Sequence, residues 1–137
     1  MSRRPDSAER AGTSMTINHL YLRVRDLETS HAFYRDLFGF DGAREWQGAT
    51  CVVRNAVGFV LALTPDPVPP TWPAGLHFGF LLDDVSNARA VRERVVGAGH
   101  RIVEAYEEDG FVVFTPSDPD GYLIGVEAGV PSFPPPP

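Results

Sequence analysis

Residues Ile17–Val24 alternate apolar and polar, the period-two signature of a strand with one buried face. Leu20, Leu22 and Val24 share one side; His19, Tyr21 and Arg23 share the other. The period then lengthens. Leu27, Phe33, Tyr34, Leu37 and Phe38 recur at helical spacing, with Asp26 as the capping residue and Gly39 as the stop. Three short strands follow, around Ala43–Trp46, Thr50–Asn55 and Gly58–Leu63, the last two joined by the turn Asn55-Ala56-Val57-Gly58. Five prolines between Thr64 and Ala74 mark a linker. The second half repeats the order. A strand carries His77, Asp84 caps a helix through Val96 that Gly97 or Gly99 ends, and strands follow near Arg101–Tyr106, Gly110–Thr115 and Tyr122–Glu127.

The repetition extends to individual positions. Shifted by 58 residues, His77 falls on His19, Asp84 on Asp26, Val91 on Phe33, Val95 on Leu37 and Gly97 on Gly39. A strand followed by a helix has been used twice. Gly58–Leu63 lies likewise over Gly121–Val126, which makes Ala62 and Gly125 equivalent. Each helix follows the first strand of its unit and covers one sheet face, so the other is free to line a hollow. On the second unit His77, Gly79 and Leu81 oppose the bulkier Leu76, Phe78, Phe80 and Leu82. Both histidines therefore point away from the apolar set, and His19, Ala62, His77 and Gly125 form four symmetric positions on the free face. The fold class expected is α+β: two βαβββ modules (16–64 and 75–128) forming a curved, cup-like mixed sheet, with a Pro-rich linker at 65–74. Residues 1–14 read as a disordered leader and 129–137 as a Pro-rich, extended tail.

Composition narrows the chemistry. The net charge is −6, which opposes a nucleic-acid surface. All 12 basic residues are arginine, so neither Schiff-base lysine chemistry nor a P-loop lysine is available. The single cysteine, Cys51, sits in an apolar strand and reads as a buried, inert thiol. No apolar run reaches the ~20 residues of a membrane span and no export signal is visible, so a cytoplasmic location is expected.

The segments Asn18-His19-Leu20-Tyr21-Leu22-Arg23-Val24, Asp26-Leu27 with Ser30, Phe33-Tyr34, Leu37 and Gly39-Phe40, Leu76-His77-Phe78, and Asp118-Pro119-Asp120-Gly121-Tyr122 resemble the vicinal oxygen chelate superfamily. That superfamily includes glyoxalase I, fosfomycin-resistance thiol transferases, extradiol dioxygenases and bleomycin-resistance proteins. The resemblance covers roughly residues 16–128 and implies a fold more than a reaction. In metal-dependent members the ligands come from the four symmetric positions. His19 and His77 match the family's histidines, but Gly125 stands where a carboxylate is usual, and Ala62 where glyoxalase-like members have another. Two imidazoles alone hold a divalent ion weakly. Glu127 lies on the same strand face as Gly125, displaced by roughly 7 Å. A set of His19, His77 and Glu127 is therefore the metal site the resemblance leaves open, for Fe, Mn, Ni or Zn; the alternative is that Glu127 is a solvated strand-end carboxylate.

Two functions follow from this. The first is a metal-free protein that sequesters a small organic molecule, as bleomycin-resistance proteins do; an acidic chain suits a cationic ligand. The second is a divalent-metal-dependent lyase, isomerase, thiol transferase or dioxygenase. Small members of the superfamily usually dimerise, two chains completing two clefts, so a homodimer is expected. Ligand contacts are expected from His19, Tyr21, Arg23, Trp46, Ala62, His77, Gly125 and Glu127. Arg23 has a rival role in pairing with a nearby carboxylate, and Trp46 in ordinary packing. Tyr122 falls opposite Gly125 in parity and reads as packing. His31 reads as a surface residue, and Glu107-Glu108-Asp109 as a solvated hairpin tip. Neither His19 nor His77 has an orienting partner evident in the sequence.

Overall fold

A computed structural model describes residues 14–129 of the chain. The expected leader and tail lie almost wholly outside these residues. The order of elements is β1 (His19–Val24), α1 (Leu27–Phe38), β2 (Glu45–Gln47), β3 (Thr50–Arg54), β4 (Val60–Pro65), β5 (Phe78–Leu82), α2 (Val85–Gly97), β6 (Ile102–Glu108), β7 (Phe111–Pro116) and β8 (Ile124–Gly129). This is strand, helix, three strands, twice, as the sequence pattern predicts. The last strand of each module pairs in parallel with its first, the helix serving as crossover, and the hairpins are antiparallel.

The helix ends follow from their capping chemistry. Asp26 accepts from the Thr29 backbone N–H at 3.0 Å, and Asp84 from that of Asn87 at 2.9 Å, each satisfying a donor that the first turn leaves free. Helix α1 stops at Gly39, whose φ of 75° is cheap only for glycine. Helix α2 runs through Gly97, and it is Gly99, at φ 82°, that takes the left-handed position. The His100 N–H then closes back onto the Val95 carbonyl at 3.1 Å.

Among the described residues two four-stranded sheets result, ordered β1-β4-β3-β2 and β5-β8-β7-β6, with no ladder joining them. The expected mixed sheet is thus present in two halves. Their helix-facing sides share one apolar core. Leu22, Val24, Phe33, Tyr34, Leu61 and Leu63 come from the first module; Val91, Val95, Val112, Phe114, Ile124 and Val126 come from the second. The Asp118-Pro119-Asp120-Gly121 turn before β8 ties the modules together. Its buried Asp118 accepts from the Tyr34 hydroxyl at 2.6 Å and from the Tyr122 and Asp120 N–H groups, while Asp120 accepts from the Arg25 N–H and the Ser30 hydroxyl. Burial pushes the Asp118 carboxyl above its ordinary range, and burial beside that carboxylate pushes the Tyr34 phenol up strongly. No helix among the described residues is long and apolar enough to cross a membrane.

Candidate functional site

One core behind both helices leaves the opposite face of each sheet on the outside. On β1 the odd-numbered His19, Tyr21 and Arg23 are exposed, while Leu22 and Val24 are buried. The register sets Val60, Ala62 and Thr64 of β4 beside them, residue for residue, and Val52 of β3 beside Ala62. On the second sheet Gly79 lies beside Gly125, Leu81 beside Glu127, Glu127 beside Val113, and Val113 beside Tyr106. Ala62 and Gly125 therefore occupy corresponding places, next to the strand two residues past each histidine.

The two histidines have different surroundings. His19 Nδ1 lies 2.7 Å from the side-chain carbonyl oxygen of Asn18. His77 precedes β5, and its ring lies over Gly125. A Cβ built on Gly125 would stand 3.3 Å from His77 Cδ2 and 3.4 Å from both the Gly79 Cα and the Phe78 carbonyl oxygen. The imidazole thus occupies the entrance of the space that a side chain at 125 would use. Glu127 is two residues further along the strand, opposite Leu81.

Ring contacts fix how the modules meet. Trp72 packs on Phe78 and on Tyr122, and the Tyr122 hydroxyl donates to the Arg23 carbonyl at 2.5 Å. The start of β5 therefore lies near the end of β1. At the other end Phe80 packs on Phe40 and on Phe59, whose neighbour Val60 is bonded to Asn18. The strands run in opposite senses, and within one chain His19 and His77 stand toward opposite ends of this seam. Among the described residues, one chain gathers no three His, Cys, Asp or Glu side chains that could hold a metal ion.

The remaining expected ligand contacts divide. Arg23 pairs with Asp66, Nη1 to Oδ2 at 3.3 Å, so its carboxylate partner is present. Tyr21 is half exposed on the open face. Trp46 stands opposite Cys51, whose buried side chain faces the core, so the register turns its ring to the helix side and away from His19. There Arg44 lies 4.9 Å from the ring centroid. β2 is Glu45–Gln47, and Glu45, opposite Val52, and Gln47, opposite Thr50, take the open face. Tyr122 is buried as packing.

Two minor expectations need correction. His31 is 6% exposed, and burial, with Arg44 and Arg35 nearby, holds its imidazole below the ordinary range. Glu107 is no free hairpin tip, because Arg89 and Arg92 of α2 both bind it, at 2.5 and 3.0 Å. Conversely, β6 places Glu104, Tyr106 and Glu108 on the open face of the second sheet, which strand parity would have revealed. A separate shallow groove is lined by Phe33, Leu37, Ala98 and His100 on the helix side. Its rim carboxylates Glu28 and Asp36 are paired with Arg44 and Arg35, and it lies away from both open faces.

Known proteins share this architecture. A possible glyoxalase from Bacillus cereus superposes with a TM-score of 0.66 at 24% identity, covering 85% of this chain and 100% of that one. A fosfomycin resistance protein from Listeria monocytogenes does so with a TM-score of 0.71 at 16% identity, covering 86% and 96%. A catechol-2,3-dioxygenase of Bacillus subtilis (strain 168) is 32% identical over 108 residues, 73% of this chain. The chain spans 37% of that relative's length. The family model of the Glyoxalase/Bleomycin resistance protein/Dioxygenase superfamily matches residues 16–126. With its paired modules, its symmetric histidines and that match over most of its length, the chain belongs to the Glyoxalase/Bleomycin resistance protein/Dioxygenase superfamily.

Proposed function

We propose that this protein binds a small organic molecule on the open faces of its sheets, without the usual three-ligand metal site of its superfamily. The observation that carries this is the His77 ring lying over Gly125. The usual carboxylate has no counterpart there, Ala62 offers none at the symmetric place, and Glu127 stands roughly 7 Å along the strand. The residues present therefore do not fit a divalent ion held in the familiar way.

The same faces suit an organic ligand with a positive charge. Tyr106 and Tyr21 offer half-exposed rings, and Glu104, Glu108 and Glu127 share the second sheet's open face with Tyr106. A planar cation gains from aromatic faces and from carboxylates that steer it in. A homodimer would complete the cleft. Since each chain keeps both open faces outside its core, a second copy can set the first module of one chain against the second module of the other. The location consistent with this role is the cytoplasm.

The rival function is a metal-dependent enzyme using His19, His77 and Glu127. The 32% identity to a catechol-2,3-dioxygenase favours it, as does the exposure of both imidazoles. Thermal-shift measurements on tag-free, chelator-treated protein separate the two. Planar cationic antibiotics are expected to raise Tm with no metal added. A Tm unmoved by these compounds but raised by Fe²⁺, Mn²⁺, Ni²⁺ or Zn²⁺, and not raised in Glu127→Ala, would overturn the metal-free binding function in favour of a His19, His77 and Glu127 metal site.

A further inference from the structure

His19 and His77 are equivalent in the repeat, yet only His19 has a polar neighbour to hold it. The residue before it is Asn18; the residue before His77 is Leu76. Asn18 Oδ1 lies 2.7 Å from His19 Nδ1. An amide carbonyl oxygen only accepts, so the proton of the neutral ring belongs on Nδ1, and Nε2 keeps a bare lone pair. His19 points to the open face, where β1 alternation sends it away from the core. A neutral histidine side chain in water favours the opposite tautomer, with the proton on Nε2. The contact therefore changes what the ring offers a ligand, from a donor to an acceptor.

We infer that Asn18 is a positioning residue, which holds His19 as the Nδ1–H tautomer so that Nε2 accepts a hydrogen bond from an N–H or O–H group of the ligand. The ligand half of this inference rests on the binding function proposed above; the tautomer half does not. Both side chains are exposed, so water competes for the bond and its contribution to stability is small. Its effect is on the direction and protonation of one ring.

Long-range ¹⁵N–¹H correlation spectra of the imidazoles in the full chain read the tautomer directly. The wild type, with its imidazoles neutral, should show His19 mostly as Nδ1–H. Asn18→Ala should invert the ratio toward Nε2–H. Asn18→Asp should restore Nδ1–H, because an acceptor is kept at the same place. His77 should be unaffected throughout. For the ligand half, phenol should perturb His19 Nε2 and anisole, which lacks the O–H, should not; Asn18→Ala should lose the phenol response. A wild-type His19 found as Nε2–H, or a ratio unchanged in Asn18→Ala, overturns the positioning role. Equal responses to phenol and anisole overturn the donor-bearing ligand. If neither compound perturbs any open-face residue, the donor-bearing ligand is overturned while the spectra still decide the role of Asn18.

Discussion

The two modules are built alike and furnished differently. Each has a capped helix, a parallel first and last strand, and a histidine at or just before the start of its first strand. In the first, His19 is held by an amide oxygen, and its strand carries a tyrosine and an ion-paired arginine on the open face. In the second, His77 rests on a glycine, and the strands beyond carry Leu81, Tyr106 and three glutamates. The backbone repeat is a matter of packing, and the shared core preserves it. The open faces make few packing demands, so they are free to diverge. Symmetry of the scaffold thus locates the site but does not describe its chemistry.

The comparison breaks most severely where the modules are joined. Asp118→Ala should cost about 3 kcal/mol in urea unfolding, since it leaves the buried Tyr34 hydroxyl and two backbone N–H groups without their acceptor. A change below about 0.5 kcal/mol would mean that the turn does not tie the modules. Gly125→Ala should cost about 1 kcal/mol through crowding at 3.3–3.4 Å. It should also shift the His77 resonances and leave those of His19 in place. An unmoved His77 would show that its ring does not lie over the glycine.

Acid sensitivity offers a sharper contrast between the modules, because only the first buries a histidine in its helix. His31 has a folded pKa below its unfolded value of ~6.5. The unfolded chain then binds the extra proton first. Stability from this group is present above ~6.5 and is lost as pH falls from there through the lower folded value. Burial is the main cause, with Arg44 and Arg35 adding repulsion and Glu28 and Asp36 partly offsetting it. Tm measured across this window should fall more steeply in wild type than in His31→Gln; parallel curves would refute the assignment. The smallest effect is expected at the surface. Arg23→Ala removes an exposed pair with Asp66 and should cost about 0.5 kcal/mol or less.

Much of this was legible in the chain. Alternation in Ile17–Val24 gave the face of His19, and Asp26 with Gly39 gave the limits of α1, because capping chemistry is local. Trp46 shows where local pattern fails. A strand of three residues carries too little alternation to fix its own register, and pairing with Cys51 decided the face. His31 was hidden for another reason: polar neighbours in the helix suggest a surface, but the folded chain buries the ring and brings the charge of Arg44 near it from outside the helix. The packing of the modules into one core, which sends His19 and His77 toward opposite ends of the seam, follows from aromatic contacts between distant segments and from no local signal. The contact of Asn18 with His19 joins sequence neighbours, yet it depends on rotamers that the sequence does not state.

Elemental analysis of tag-free protein tests the central claim most directly. The protein would be dialysed against Fe²⁺, Mn²⁺, Ni²⁺ or Zn²⁺ in turn and then freed of loosely held ions by gel filtration. With Gly125 and Ala62 in the carboxylate places, retained metal should fall well short of one ion per chain. One ion per chain, lost on Glu127→Ala, would contradict the account.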